Sequence, residues 1–166
     1  MLPSLLVSLL LSLFSAHTSF QTDSFRCMPC GQDCDNTVYS KPGNCGACHM
    51  ELVKASGISF RNMPASMVCA YIKTHPDMVL LDVRTREEYS GKANPDYGTL
   101  INAINIPIQE LETRIGELDA YRKKEILVFC SHSHRSPRAS YLLTQKGFTV
   151  INMSGGMSVF NGPCKK

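Results

Sequence analysis

The sequence has no block of basic residues, although it carries a small excess of positive charge. Its 166 residues contain 17 Lys and Arg against 14 Asp and Glu, a formal net charge of +3, and these residues are spread along the chain. Proteins that bind nucleic acid usually carry a basic patch or stripe, so this class of protein gets no support. The length allows one ordinary domain with a small appendage.

The first twenty residues, "MLPSLLVSLLLSLFSAHTSF", contain no Asp, Glu, Lys or Arg. Their apolar stretch, residues 5–14, is too short to span a bilayer comfortably, which is typical of an export signal rather than an anchor. We therefore predict a signal peptide at residues 1–20, a periplasmic or secreted mature protein, and no stable membrane insertion after the signal is removed.

Five of the eight cysteines lie between residues 27 and 49, in a segment too short to bury a core of its own. In an oxidising compartment the default prediction is disulfides. Two C-x-x-C pairs separated by fourteen residues instead favour a thiolate metal site, and both interpretations stay open. The candidate metal ligands are Cys27, Cys30, Cys34, Cys45 and Cys48.

The stretches "FRCMPC" and "KPGNCGACHMELV" resemble the short heavy-metal-binding domain of bacterial copper- and silver-handling proteins. This resemblance implies a metal site in the predicted segment 21–56. His49 stands where that family usually has Gly, and extra cysteines at 30 and 34 replace the usual Met and His pattern. The departure favours a structural zinc or another thiophilic metal, while Met28 and Met50 leave soft Cu(I) open.

From residue 57 onward, apolar runs alternate with helix-like patterns, which predicts one α/β domain with a parallel sheet over residues 57–166. The predicted strands are "GISF", "MVLLDVR", "AINIP", "EILVF" and "FTVIN". The predicted helices are "MPASMVCAYIKTH" with Pro64 at its start, "IQELETRIGELDAY", and "SPRASYLLTQKG" ending at Gly147. We expect Cys69, on the first helix, to be a buried thiol.

Cys130 and Asp82 lie at the carboxyl ends of two predicted strands, which is where open parallel sheets place their functional groups. The polar loop after Cys130 leads into a helix beginning near Ser136 or Pro137. Loop amides and the positive end of that helix would stabilise a thiolate, lowering its pKa from about 8.5 to roughly 3.5–7.5. The pattern predicts a reactive cysteine.

The sequence of Cys130, four residues, Arg135 and Ser136 is similar to the active-site loop of the rhodanese family of sulfurtransferases. "LLDVRTREEYSG", "GTLINAINIP" and "GFTVINMSGGMSVFNGPC" resemble that family's other landmarks. The resemblance implies sulfane sulfur carried as a persulfide on Cys130, without a catalytic cofactor, from a small anion such as thiosulfate to a thiol or cyanide. It also implies that Arg135 orients the loop through Asp82 or helps to bind an anionic donor, with structural ion pairing as the alternative for both Arg135 and Arg84. The other implied substrate contacts come from Arg84, Ser131, His132, Ser133, His134 and Ser136.

Three alternatives stay open. Related dual-specificity phosphatases have five residues between Cys and Arg, whereas the shorter loop here suits sulfur better than a phosphate dianion and disfavours phosphatase or arsenate reductase activity. Cys130, His132 and His134 could instead bind copper, although a curled loop would point their side chains apart. The chain could also be an exported metal-handling protein in which the rhodanese-like domain is a carrier or regulatory module. The sequence leaves the oligomeric state undetermined.

Overall fold

The computed structural model describes residues 23–166, so the predicted signal peptide at residues 1–20 lies outside the described residues. The described chain contains a sheet of five strands and a separate sheet of three short strands. Helix α4 (Arg135–Gln145) has 11 residues. None of the described helices is long and apolar enough to cross a membrane.

The five-stranded sheet is parallel throughout, which confirms the predicted α/β architecture. Its spatial order is β4-β8-β7-β5-β6, and short helices connect the strands. The strands are β4 (Arg61–Pro64), β5 (Val79–Asp82), β6 (Ile104–Asn105), β7 (Glu125–Phe129) and β8 (Thr149–Ser154). The other helices are α1 (Val68–Thr74), α2 (Arg86–Tyr89) and α3 (Ile108–Arg114).

Both faces of the central strands are buried, as their continuous apolar runs predict. Along β7, Ile126 and Val128 belong to a core cluster that includes α4 residues such as Leu143. The alternate residues Leu127 and Phe129 belong to a second cluster, which includes residues of α1. The sheet is therefore a middle layer. Asp82 ends β5 beside Phe129 of β7, and Cys130 follows Phe129 at the same carboxyl edge.

The first strand and the first helix of this domain differ from the prediction. Residues 58–60 are not a strand, and β4 instead spans Arg61–Pro64. Pro64 therefore ends an edge strand, where the missing N–H breaks no central ladder, and α1 begins only at Val68. The predicted helix after "AINIP" is α3 followed by a 3₁₀ segment, Ile115–Tyr121.

The cysteine-rich unit comprises β1 (Phe25–Cys27), β2 (Val38–Tyr39) and β3 (Leu52–Lys54), which form an antiparallel sheet in the order β2-β1-β3. Its small core consists of cysteine side chains together with Leu52, and no larger apolar group is buried there. Thiol side chains therefore make up most of the buried core of this unit.

Two of the contacts between the cysteine-rich unit and the larger domain lie near the loop that follows Cys130. Met28 is only 4% exposed and belongs to the main core cluster beside α4. The side-chain amide of Asn152, on β8, donates to the Pro29 carbonyl (3.3 Å) and to the Ser133 hydroxyl (3.4 Å). One amide thus connects the first C-x-x-C turn to the loop that follows Cys130.

Cys69 and Cys164 form a disulfide across 95 residues, so the prediction of a free buried thiol at Cys69 is wrong. The disulfide fixes the C-terminal segment beside α1. Thr99 and Lys166 then exchange two backbone hydrogen bonds of 2.9 and 2.8 Å. This segment covers the part of the structure that surrounds the buried Asp82.

Candidate functional site

The Cys130 side chain lies at the floor of a loop between β7 and α4 and is 1% exposed. The backbone N–H of Ser136 donates to its Sγ at 3.4 Å, and the Ser136 hydroxyl lies 3.4 Å from the same sulfur. The carbonyl groups of Cys130 and Ser131 accept hydrogen bonds from Met157 and Ser158 (2.8 and 2.9 Å), which directs them away from the cradle. The sulfur therefore faces the positive end of α4, as predicted for a site that stabilises an anion.

Gly156 allows the turn at residues 155–156 to approach the loop closely. A Cβ added there would lie 2.6 Å from the Cys130 carbonyl oxygen, and its φ of +69° also favours glycine. No separate role was predicted for Gly156 from the sequence. The "GG" pair within "GFTVINMSGGMSVFNGPC" is the sequence feature that could have identified this turn.

Ser133 has the left-handed conformation, with φ of 57°, which favours glycine. An L-residue pays roughly 1–2 kcal/mol for this conformation. The Ser133 side chain is buried and its hydroxyl accepts the Asn152 amide, which fixes the strained residue from outside the loop. The loop conformation is thus held by β8.

Arg135 lies next to Glu88 rather than Asp82. Its two terminal nitrogens donate to the Glu88 carboxylate at 2.6 and 2.7 Å, and the Ser131 hydroxyl donates to the same carboxylate at 2.6 Å. Hydrogen bonds from Arg135 hold the pKa of Glu88 at about 2, and the carboxylate in turn raises the pKa of Arg135. Glu88 therefore ties together the two ends of the loop, and the predicted Asp82–Arg135 pairing is wrong.

Asp82 is paired with Arg84, and both side chains are completely buried. The shortest contact joins Arg84 Nη2 to Asp82 Oδ2 at 2.6 Å, and the Thr99 hydroxyl donates to the same carboxylate at 3.0 Å. Because Arg84 presents no surface, the predicted substrate contact from it is wrong. Its role here is to neutralise Asp82 beneath the site.

The two loop histidines are exposed and lie on different sides of the loop. His132 Nε2 is 3.3 Å from the Tyr97 hydroxyl, whereas His134 lines a cleft beside Met28. Such divergence separates the two imidazoles that a copper site with Cys130 would need to bring together.

A cleft of about 790 Å³ lies between the cysteine-rich unit and helices α3 and α4, and we call it the interunit cleft. His134 and Arg135 form its border with the Cys130 loop. The cysteine-rich unit contributes four of its lining residues: Met28, His49, Met50 and Glu51. The larger domain contributes Ile108, Gln109, Glu112, His134, Arg135, Arg138, Tyr141, Leu142 and Gln145.

Four cysteines of the cysteine-rich unit form a compact cluster: Cys27, Cys34, Cys45 and Cys48. Their sulfur atoms lie within 4.8 Å of one another, which suits a tetrahedral thiolate site. Backbone N–H groups of Cys48 and Ala47 donate to the Cys45 sulfur and help to lower its pKa to about 6. Burial raises the pKa of Cys27, and it raises that of Cys34 to about 11. The cluster thus combines a thiolate-stabilising turn with buried soft donors.

Cys30 lies outside this set of four. It groups instead with Cys34 and Asp35, and its thiol donates to an Asp35 carboxylate oxygen at 3.4 Å. Asp35 also accepts the backbone N–H groups of Cys30 and Gly31, so it closes the turn in which Cys30 lies. Cys34 therefore takes the place in the cluster that the C-x-x-C spacing assigned to Cys30.

A family model described as "Rhodanese-like domain" matches residues 70–162, which is more than half of the chain. The "Uncharacterized protein YqhL" of Bacillus subtilis is 34% identical over 87 residues, covering 52% of this chain and 63% of YqhL. The "Thiosulfate sulfurtransferase PspE" of Escherichia coli is 29% identical over 77 residues, covering 46% of this chain and 68% of PspE. The chain thus spans less than two thirds of the length of YqhL.

Among solved structures, a rhodanese-related protein from Thermoplasma volcanium superposes with a TM-score of 0.50 and 30% sequence identity. The superposition covers 61% of this chain and 96% of that protein. The family model begins after the cysteine-rich unit has ended.

Proposed function

The chain belongs to the family of rhodanese-like domains, and from that premise we propose that it is a sulfurtransferase whose Cys130 carries sulfane sulfur as a persulfide. The observation that supports this most strongly is the position of Cys130 Sγ at the N-terminal end of α4, where the Ser136 N–H donates to it at 3.4 Å. The donor is a small sulfur-containing anion such as thiosulfate, and the acceptor is a thiol or cyanide.

In the first half of the proposed reaction, the Cys130 thiolate attacks the outer sulfur of thiosulfate. The S–S bond of the donor breaks, sulfite leaves with its electron pair, and Cys130 becomes a persulfide. The Ser136 N–H and the N-terminal end of α4 stabilise the negative charge on this group. In the second half, the acceptor removes the outer sulfur and regenerates the thiolate.

Phosphatase activity is disfavoured by the arrangement of Arg135. Four residues separate it from Cys130, and its guanidinium is bound at both terminal nitrogens by Glu88. A guanidinium whose two terminal nitrogens already bind a carboxylate has fewer donors left for a bidentate contact with a phosphate dianion. Arg135 therefore supports the loop, and the small cradle above Cys130 suits a single sulfur atom.

We further propose that Cys27, Cys34, Cys45 and Cys48 hold one structural zinc or another thiophilic divalent ion. Their four sulfur atoms converge, and N–H groups donate to one of them, which is how metal-thiolate turns neutralise charge. Such an ion would supply folding free energy to a unit that buries only one large aliphatic side chain in its core. The experiment is metal analysis of the purified chain.

A second candidate function is metal handling outside the cytoplasm, with the rhodanese-like domain as a carrier or regulatory module. The cysteine cluster supports this candidate, and the predicted export of the chain rests on residues 1–20 alone. A metal-handling protein should exchange its ion readily with competing ligands, whereas a structural ion should leave only as the unit unfolds.

The sulfurtransferase proposal is tested by thiocyanate formation from thiosulfate and cyanide. The Cys130→Ser variant should lose turnover entirely because serine cannot form a persulfide. Cys30→Ser is the matched control, since it removes another buried thiol that lies outside the site. Turnover that persists in Cys130→Ser contradicts the assignment of the nucleophile.

A further inference from the structure

Asn152 is a polar residue within β8, a strand that lies between β4 and β7. Its side chain is completely buried, and it shares a face of the strand with Val150, which belongs to the core cluster beside α4. An amide in such a place is unfavourable unless it is hydrogen-bonded. The hydrogen bonds of Asn152 therefore decide which segments must lie beside it.

The amide nitrogen of Asn152 contacts both the first C-x-x-C turn and the Cys130 loop. It donates to the Pro29 carbonyl oxygen at 3.3 Å and to the Ser133 hydroxyl at 3.4 Å. The terminal amide of Asn62, the residue opposite on β4, lies 2.8 Å from the same nitrogen. That amide also lies 3.1 Å from the Pro29 carbonyl oxygen and 3.3 Å from the Gly31 nitrogen. The two asparagines thus connect the turn to the loop.

Ser133 is the loop residue on which this connection acts. Its φ of 57° lies in the left-handed region, which an L-residue adopts only at a cost in free energy that its surroundings must offset. Asn152 provides such a contact, and both side chains are buried away from water. Ser133 lies between Cys130 and the Ser136 N–H that donates to the sulfur, so a change in its φ would displace that donor.

The first C-x-x-C turn packs directly against the end of β8. A Cβ added to Gly31 would lie 2.6 Å from Ser154 Cβ, and the φ of Gly31 is +90°. The Asp35 carboxylate accepts the backbone N–H of Gly31 at 2.7 Å, which fixes the turn within the cysteine-rich unit. The place of the Pro29 carbonyl next to Asn152 is therefore set by the fold of that unit.

We propose that Asn152 is a positioning residue for the Cys130 loop, which it holds through Ser133 in the place set by the first C-x-x-C turn. The rate at which Cys130 takes sulfur from its donor therefore depends on the fold of the cysteine-rich unit. This inference rests on the sulfur transfer proposed for Cys130 and names what controls it. Asn152 itself takes no part in making or breaking bonds.

The test combines Asn152→Ala with substitutions of Ser133 in the full chain. Asn152→Ala should lower kcat/KM for thiosulfate about tenfold, because Ser133 loses the contact that offsets its conformation. Glycine adopts that conformation freely, so adding Asn152→Ala to Ser133→Gly should lower kcat/KM by less than about twofold. Ser133→Ala, which keeps Cβ but loses the hydroxyl, should fall well below Ser133→Gly. A loss of folded protein would be the same in both backgrounds, and an equal loss contradicts the positioning role.

The dependence on the cysteine-rich unit is tested with Gly31→Ala, which forces the turn away from β8 without altering the larger domain. It should lower kcat/KM for thiosulfate several-fold, and Ser133→Gly should again remove most of that effect. Gly46→Ala is the matched control, because it adds a methyl group to the second C-x-x-C turn. Apart from its chain neighbours, no atom of residues 23–166 lies within 4 Å of that group. Equal values of kcat/KM in Gly31→Ala and Gly46→Ala contradict the dependence.

Hydrogen exchange of the peptide that spans residues 130–136, measured by mass spectrometry, separates this inference from the proposed function. Asn152→Ala and Gly31→Ala should each speed the exchange of the loop amides, and Gly46→Ala should not. If the rates do not change while the unmodified chain forms thiocyanate, the sulfurtransferase proposal stands and Asn152 is not a positioning residue. If the unmodified chain forms no thiocyanate, the proposed function fails, and faster exchange in the two variants still supports the role of Asn152 in holding the loop.

Discussion

Replacing Glu88 by Gln removes the one negative charge that holds both ends of the Cys130 loop. The carboxylate accepts two hydrogen bonds from Arg135, at 2.6 and 2.7 Å, and one from the Ser131 hydroxyl at 2.6 Å. It also accepts the Thr85 N–H in a capping box at the start of α2. Glutamine can keep that last hydrogen bond, so the substitution isolates the contact with the arginine.

The expected loss of stability follows from the pKa of Glu88, which hydrogen bonds from Arg135 lower to about 2. An unperturbed glutamate titrates near pH 4.3, so the difference corresponds to about 3 kcal/mol of stabilisation at neutral pH. The pKa is depressed in the folded protein, so this stabilisation is fully present above about pH 4.3. It is lost as the pH falls from there through about 2.

Denaturant unfolding of the two proteins at a series of pH values measures this effect. The Glu88→Gln variant should be less stable by about 3 kcal/mol near pH 7, and the difference should disappear as the pH approaches about 2. The control is Glu117→Gln, which breaks an exposed ion pair with Arg114 and should change stability little. Equal stability of the variant and the unmodified chain near pH 7 would refute the reasoning.

Three further perturbations address other parts of the structure. Asp82→Asn leaves a buried arginine uncompensated and should lower the free energy of unfolding by about 3–5 kcal/mol in urea; a shifted pH profile of turnover with intact stability would instead indicate acid–base work. Gly156→Ala forces a methyl group against the Cys130 carbonyl and should reduce kcat by about a hundredfold; an unchanged kcat would show that the close approach has no role. Cys34→Ser should reduce bound zinc, measured by native mass spectrometry, while Cys30→Ser should retain one ion per chain; the opposite result would restore the C-x-x-C ligand set.

The central strands could be predicted because each is a continuous apolar run that ends in a polar or reactive residue. β5 and β7 are buried on both faces, so their sequences carry no competing periodicity. β4 was not predicted because it is an edge strand of mixed polarity that ends in Pro64. A proline next to a helical pattern suggests the start of a helix instead. The edge position that permits this proline is a property of the whole sheet.

The position of Cys130 was predictable from its strand and loop, whereas the partner of Arg135 was not. Thr85 and Glu88 have the spacing of a capping box, and that signal identifies the start of α2. It does not reveal that the same carboxylate reaches Arg135, 47 residues away. Asp82 was the more attractive partner on position alone, but the neighbouring Arg84 already binds it.

The partners of the cysteines, too, could be predicted only in part from the sequence. Spacing identified a cluster near the N-terminus but favoured Cys30, because a C-x-x-C pair can form a turn around one ion. The fold brings Cys34 into the cluster and leaves Cys30 beside Asp35. The disulfide between Cys69 and Cys164 spans 95 residues, and only the packing of the C-terminal segment against α1 brings the two sulfurs together.

The most direct test of the central claim is the mass of the Cys130 peptide after the full chain has been incubated with thiosulfate and freed of excess donor. The account predicts one added sulfur atom on that peptide, its removal by cyanide, and no such adduct in Cys130→Ser. An unmodified Cys130 peptide from a chain that nevertheless forms thiocyanate would contradict a persulfide at Cys130.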